Sequence, residues 1–417
     1  MKDHADVETT TCCIVGCGPA GAMLGLLLAR AGVSVVVLEK YPDFFRDFRG
    51  DTIHASTLQV LDELGLLEGF DRLPHQKAAH IRVVTDEGDT VFGDFTSLPG
   101  KFKYVAMVPQ WDFLDFITDE AAGFSTFTLR RGAEVIDLIQ EDGVVRGVRY
   151  HTSNGVRELR AELTVACDGR HSVVRRASEL PLTEFGAPMD VLWYRISRSS
   201  TDPTGAFLRL APGRLFPMID RETYWQGGCT IPKGAFAALK AKGLEALRTD
   251  IRTYMPFLAD RVNEIRSWDD VGFLEVRVNR LRRWFRPGLL CIGDAAHAMS
   301  PVGGVGINLA IQDAVAAANL LVEPLRGGRV GEDRLAAVQR RRALPTRVTQ
   351  AVQLFMQRSL ISAVMASESS ATLPRQFRIA QRLPVLRRWI PRFLAIGVRN
   401  EHVRIAKSAP PTGTMPA

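Results

Sequence analysis

Three glycine- and acid-bearing segments hold the residues whose types and spacing can do chemistry. The first is Gly16-Cys17-Gly18-Pro19-Ala20-Gly21, followed by Glu39 and Lys40. Gly16 permits a tight turn, Gly18 lets the backbone approach a pyrophosphate, and Gly21 lets a helix and a strand pack closely. The free N–H groups of a helix start bind phosphates, and Glu39 can accept from ribose hydroxyls. The second segment is Asp168-Gly169-Arg170-His171-Ser172-Val173-Val174-Arg175, directly after an apolar run. The third is Gly293-Asp294-Ala295-Ala296-His297, then Ser300-Pro301-Val302-Gly303-Gly304-Val305-Gly306-Ile307-Asn308. There an acid ends a buried run, and a Gly-rich backbone opens a helix whose N-terminus can face developing negative charge.

The elements that must position these groups follow from periodicity. Residues 12–16 and 34–38 are β-branched runs bounded by Gly and charge, the pattern of strands buried in a parallel sheet. Residues 19–31 are rich in Ala, Leu and Met and stop at Gly32, which predicts a helix and a βαβ unit. Helices are expected at 57–67, 109–122 and 306–321, with a hairpin over 81–84 and 90–95. A strand meander is expected over 133–140, 144–150 and 156–165, and further aromatic-rich strands at 190–197, 207–210, 214–219 and 224–230. Residues 289–292 predict one more buried strand. Beyond Gly331 the chain reads as helical, with breaks at Pro345, Pro374, Pro384 and Pro391, and its last ten residues read as disordered.

The chain has 417 residues, of which 46% are hydrophobic and 24% charged. That is ordinary globular composition, and it excludes long disorder and a collagen-like repeat. The six cysteines, Cys12, Cys13, Cys17, Cys167, Cys229 and Cys291, show no paired zinc-ligand spacing, so reduced thiols and no metal site are expected. The first eleven residues are polar and no apolar run reaches membrane-spanning length. A cytoplasmic protein without a secretory leader or transmembrane span is therefore expected. The net charge of +7 is uneven. From Arg340 onward fourteen Lys or Arg stand against Glu368 and Glu401, a net of +12, which leaves −5 for the preceding 339 residues. Residues 383–398 interleave Arg with Trp, Phe and Ile, the composition of an interfacial amphipathic segment. Peripheral membrane contact through this region is one expectation, and a helix packed on the rest of the protein is the other. No motif points to nucleic acid.

In their order and separation, the three segments resemble those of the FAD-dependent aromatic hydroxylases of the p-hydroxybenzoate hydroxylase class, the single-component flavoprotein monooxygenases. The resemblance covers roughly residues 10–330. It implies an α/β fold: a discontinuous Rossmann-like FAD-binding domain (1–75, 101–180 and 272–330), a β-sheet substrate domain (76–100 and 181–271) and a helical basic C-terminal region (331–417). It implies that Gly16, Gly18, Pro19, Ala20, Gly21, Glu39 and Lys40 hold the ADP half of FAD. Asp168 and Gly169 would lie beside the dinucleotide and the nicotinamide donor, NADPH or NADH. Gly293 and Asp294 would serve the ribityl chain. Pro301 would line the substrate side near the reactive flavin edge, and Gly304, Gly306, Ile307 and Asn308 would surround the ring. Arg49 would lie near the flavin phosphates, and Gln110, where many members have Arg and some Gln, would reach the cofactor. The implied reaction uses NAD(P)H and O2 to hydroxylate an aromatic or quinone-like, lipophilic molecule through a flavin C4a-hydroperoxide.

Such chemistry needs a closed apolar chamber, because water promotes loss of peroxide. Trp193, Tyr194, Phe216, Met218, Tyr224 and Trp225 are the candidate walls. His54 and His297 are the candidate bases toward a phenolic substrate. A flavin-dependent reductase of polyprenyl double bonds and a ligand-sequestering flavoprotein without turnover are the competing readings. A halogenase is disfavoured by the absence of a Trp-x-Trp-x-Ile-Pro segment.

Overall fold

The computed structural model describes residues 8–45, 51–367, 372, 378–379 and 383–405. Strand Glu8–Val15 lies at the centre of an eight-stranded sheet. It pairs in parallel with Gly155–Ala166 on one side and Val35–Glu39 on the other. Phe127–Arg131 and Leu289–Cys291 extend the parallel core outward. Val-Val-Val-Leu-Glu is buried throughout, as a strand covered on both faces requires. The helices Pro19–Arg30 and Gly306–Arg326 pack on this sheet and on each other, burying long runs of Ala and Leu. The antiparallel strands Glu134–Glu141 and Val144–Thr152 pair off the N-terminal half of Gly155–Ala166.

A second sheet has seven strands. Its order is Gly272–Leu274, Met189–Ser197, Tyr224–Pro232, Arg214–Asp220, Phe207–Ala211, His80–Thr85 and Gly88–Asp94. All neighbours are antiparallel except Phe207–Ala211 with His80–Thr85. Gly272–Leu274 thus joins the second sheet, although the expected cofactor segment begins at 272. Its back face is covered by the helices Phe236–Ala241 and Leu244–Tyr254, which bury Leu239, Leu247 and Ile251 against Tyr194, Phe216 and Trp225. Neither helix is among the expected elements.

After Gly306–Arg326 the chain forms a long helix, Glu332–Met356, which continues through a π-helical turn at Gln357–Ile361. Pro345 is buried inside it, so the expected break there does not occur. Pro384 instead begins the C-terminal helix Pro384–Ala395, which also tolerates Pro391, while Pro374 lies outside the described residues. The segment Val302–Arg326 is apolar enough to cross a membrane, but 78% of its most apolar window is buried inside the protein. All six cysteines are buried and unpaired.

Candidate cofactor and substrate site

Two helix starts open into one cavity of about 950 Å³. At one end, Gly16 takes φ +92° at the close of the first strand, a conformation only glycine adopts cheaply. A Cβ on Gly21 would stand 2.0 Å from the Gly16 carbonyl oxygen, so the first helical turn seats directly on the strand end. A Cβ on Gly18 would meet nothing within 4 Å. The helix Pro19–Arg30 has no capping side chain and no acid in its first turn. Its free N–H groups therefore lack a partner from side chains and suit an anion. Glu39 is buried at the cavity wall, its Oε2 accepting from the Cys17 N–H at 2.9 Å. Lys40, Pro19 and Ala20 also line this end.

The second helix start, Gly306–Arg326, is likewise uncapped and free of acid in its first turn. Pro301, Gly304, Gly306 and Ile307 line the cavity beside it. Gly304 takes φ +62°, and a Cβ there would collide with the Thr52 hydroxyl at 2.2 Å. Asn308 stitches this turn together and does not line the cavity. Its Oδ1 accepts from the His54 N–H (2.8 Å) and the Thr57 hydroxyl (2.7 Å), and its Nδ2 donates to the Thr52 and Gly304 carbonyls. With these four hydrogen bonds made, its side-chain amide serves the protein.

Between these ends, Asp168, Gly169, Arg170, His171 and Asp294 line the cavity. Asp168 Oδ2 accepts from the N–H groups of Val173 (2.8 Å) and Val174 (3.2 Å), so this carboxylate holds its own turn. Burial raises the Asp168 pKa above the usual carboxylate value. Arg170 approaches Asp294 at 3.5 Å. Arg175, which the motif reading passed over as a role, donates to the carbonyls of Ala295 (3.0 Å) and Arg170 (2.7 Å) and so ties the second segment to the third. Gly293 (φ +59°) turns the chain into Asp294, and its N–H donates to Asp313. Gln110 lines the cavity, and its N–H donates to Asp51, which pairs with Arg221 from the second sheet at 2.6 Å. Arg49 lies outside the described residues.

The two candidate bases have different fates. His297 is buried away from the cavity, its Nε2 2.6 Å from Asp313 Oδ2 and its ring 4.8 Å from that of Trp284. Asp313 also accepts from Arg342 at 2.8 Å, so His297 belongs to a buried ion network and is corrected from base to structural residue. His54 does border the cavity. Its Nδ1 lies 2.7 Å from the Leu394 carbonyl, which can only accept. The proton therefore sits on Nδ1, and Nε2 carries the lone pair. Burial pushes the imidazole pKa down to about 4. The folded protein thus binds this proton more weakly than the unfolded chain. Stability from this site is complete above the unfolded value near 6.5 and is lost as pH falls from there toward 4. At pH 5 the expected loss is about 2 kcal/mol. Denaturant midpoints measured at pH 7 and pH 5 check this, and His54→Phe should flatten the difference.

Of the candidate walls, Trp193 and Met218 line the cavity, alongside Val191, Leu208, Leu210, Leu215, Pro217 and Phe273. Phe216 and Trp225 do not, which corrects the expectation. Strand alternation turns them to the back of the sheet, where Phe216 meets Tyr254 (5.7 Å between rings) and Trp225 meets Phe257 (5.6 Å). Tyr194 shares that core, and Tyr224 is half-exposed beneath Arg195 (4.1 Å). The other wall comes from the C-terminal region: Met356, Leu360, Ile361 and Leu394. Nothing in their local pattern marks them as lining residues, because only the path of the chain brings them there.

The fold and the paired helix starts define a dinucleotide-dependent flavoprotein. A family model described as "FAD binding domain" matches residues 8–352. The chain is 34% identical over 405 residues to 6-methylpretetramide 4-monooxygenase of Streptomyces rimosus, covering 97% of this chain and 96% of that one. Among solved structures, the OxyS anhydrotetracycline hydroxylase of Streptomyces rimosus superposes with a TM-score of 0.74 at 24% identity, covering 94% of this chain and 77% of that one. The p-nitrophenol 4-monooxygenase PnpA of Pseudomonas putida DLL-E4 also reaches 0.74, at 19% identity, covering 93% of this chain and 93% of that one. The chain belongs to this family of FAD-dependent aromatic hydroxylases: it is a flavoprotein monooxygenase that uses FAD with a nicotinamide reductant.

Proposed function

We propose that this enzyme hydroxylates a polycyclic, phenolic, polyketide-like aromatic. The observation that carries the proposal is the two-ended lining of this cavity. Polar backbone and acids line one end, and the other end is a chamber walled by aliphatic and aromatic side chains from the second sheet and the C-terminal helices. Its volume is at the upper end for small-molecule sites, as a cofactor and a multi-ring substrate together require. The relatives named 6-methylpretetramide 4-monooxygenase and 12-dehydrotetracycline 5-monooxygenase/anhydrotetracycline 6-monooxygenase support this substrate class.

In this reading the Gly16–Gly21 turn, Glu39 and Lys40 hold the ADP half of FAD. Asp294 would accept from the ribityl hydroxyls, and the Gly303–Ile307 backbone would cradle the ring. The bound flavin supplies reduction by NAD(P)H and oxygen activation. The protein supplies the rest. The Gly306 helix start offers uncompensated N–H dipoles toward anionic charge on the ring. Pro301, Val302 and Leu394 border the chamber and would shield it from bulk water, as oxygen chemistry there requires. Arg221, by pairing with Asp51, ties the chamber sheet to the loop beside the cofactor end.

Asp294→Ala should leave the fold intact and raise the FAD dissociation constant about 10–100-fold, the worth of a hydrogen bond to a charged acceptor. Cofactor retention on gel filtration, followed by visible absorbance, checks this. The function itself is tested by ligand-stimulated NADPH or NADH oxidation with anhydrotetracycline and simpler polycyclic phenols. The expected product is heavier by one oxygen atom and forms only in air; reductant consumption without O2 would favour the reductase reading. The basic tail carries exposed Val385 and Trp389 on the C-terminal helix, and peripheral contact with anionic lipid is proposed there on composition and exposure alone. Co-sedimentation with phosphatidylglycerol vesicles tests it.

A further inference from the structure

The matched family region ends at residue 352, yet the chain beyond it returns to the cavity. The C-terminal helix Pro384–Ala395 lies over the second sheet's edge strand Gly88–Asp94 and brings Leu394 to the cavity wall. Gly303 makes the seat: a Cβ there would stand 2.8 Å from Leu394 Cδ2. The chain then runs as a strap, residues 399–405, across the two long helices. Glu401 is buried and accepts from Arg341 (2.9 Å) and Arg342 (3.4 Å), while its N–H donates to Gln312. His402 and the Val403 N–H bind Glu63 at 2.6 and 2.8 Å, and the Arg404 N–H binds Asn319 at 2.9 Å. The strap therefore sets where the Leu394 carbonyl stands.

That carbonyl faces His54 Nδ1, and the consequence is chemical. An imidazole whose Nδ1–H is engaged by a carbonyl offers its other nitrogen as an acceptor. The other polar side chains near the apolar end are already committed. Thr52 donates to the Gly304 carbonyl (2.8 Å), Thr230 accepts from the Leu215 N–H (2.9 Å), and Ser300 is engaged by Gln357 (2.8 Å) and the Val302 N–H (3.3 Å). Trp193 can only donate. Among the described residues His54 Nε2 has no hydrogen-bond partner, and it opens on the cavity.

We infer that His54 Nε2, fixed as an acceptor by the C-terminal strap, receives the hydrogen bond of the substrate's phenolic O–H and orients the ring to be hydroxylated. This deepens the proposed function and rests on its phenolic substrate class. His54 then acts by holding the proton between oxygen and nitrogen, not by removing it, because its weak basicity leaves the proton on the phenol. Leu394 and Glu401 are positioning residues that act through His54.

The test uses the FAD-loaded full chain and two probes with the same ring system, 2-naphthol and its methyl ether 2-methoxynaphthalene, with binding read from the flavin absorbance, and His54→Phe controls for the added methyl. Wild type should prefer the naphthol about tenfold, since the ether lacks the donor and strands a buried acceptor. In His54→Phe the preference should vanish while FAD stays bound. Independently of any variant, ¹⁵N spectra of labelled imidazoles should show His54 protonated on Nδ1, with the Nε2 resonance moving when 2-naphthol binds. A preference that persists in His54→Phe, or a proton on Nε2, overturns the inference and leaves the substrate class standing. Wild type that binds neither probe overturns both.

Discussion

Gly21→Ala should yield a protein that neither folds stably nor retains FAD. The added methyl would sit 2.0 Å from the Gly16 carbonyl oxygen and 3.2 Å from Ile14 Cγ2, and the near neighbour is backbone that cannot step aside. Relief requires lifting the first helical turn off the strand, which disrupts the phosphate-facing N–H groups and the core beneath them. A cost above about 4 kcal/mol is expected, in the range reserved for overpacking at a backbone contact. Gly18→Ala is the informative partner, because its methyl meets no protein atom within 4 Å. That variant should melt like wild type yet bind FAD at least about tenfold more weakly, since in the proposed site the space it fills is where the dinucleotide would approach. Thermal melting and the flavin-to-protein absorbance ratio of the two variants separate folding from binding. Equal FAD content in Gly18→Ala and wild type would refute the placement of the pyrophosphate.

Arg342→Met carries the second large effect. The guanidinium is fully buried and bridges Asp313 (2.8 Å) and Glu401 (3.4 Å), which are themselves fully buried. Burial alone would raise the Asp313 pKa, but His297 and Arg342 outweigh it and hold this carboxyl below its ordinary range. Removing the cation strands buried negative charge, at an expected cost of about 3–5 kcal/mol. Chemical denaturation measures this. Arg341 still holds Glu401, so the strap should loosen without detaching. The expected signature beyond stability is a larger share of reductant lost as hydrogen peroxide, because the lid at Leu394 depends on the strap. Arg342→Met combined with Glu401→Gln should regain part of the lost stability, since one of the stranded charges is then absent.

The turn and helix start at Gly16–Gly21 were legible in the residues because their constraints are local. A turn that needs φ +92°, a helix that must touch a strand, and an acid ending the next strand each force a residue type at a fixed offset. The apolar chamber was legible only in part. Aromatic strand residues announce a sheet, but which face meets ligand depends on what covers the other face. The unanticipated helix Leu244–Tyr254 took Phe216 and Trp225 for the core, with Met218 packed beside them at the cavity's border, and left Trp193 on the cavity face. His297 looked like a base because it follows Asp294 closely in sequence. Its partner Asp313 lies on the next long helix, and only the packed structure shows that pairing. Leu394 carries no local signal, since both its side chain at the cavity wall and its carbonyl at His54 are placed by the path of the C-terminal region.

The cradle's assembly from distant stretches also sets a schedule for biosynthesis. Gly16 leaves the ribosome about 290 residues before Asn308, an interval of about 15–60 s at ordinary elongation rates. Throughout that time the first βαβ unit lacks the strand Leu289–Cys291 and the helix that complete its sheet and core. Flavin can therefore be captured only late in translation. A cell short of riboflavin would accumulate finished apoprotein with an open cleft, the form most exposed to chaperones and proteases.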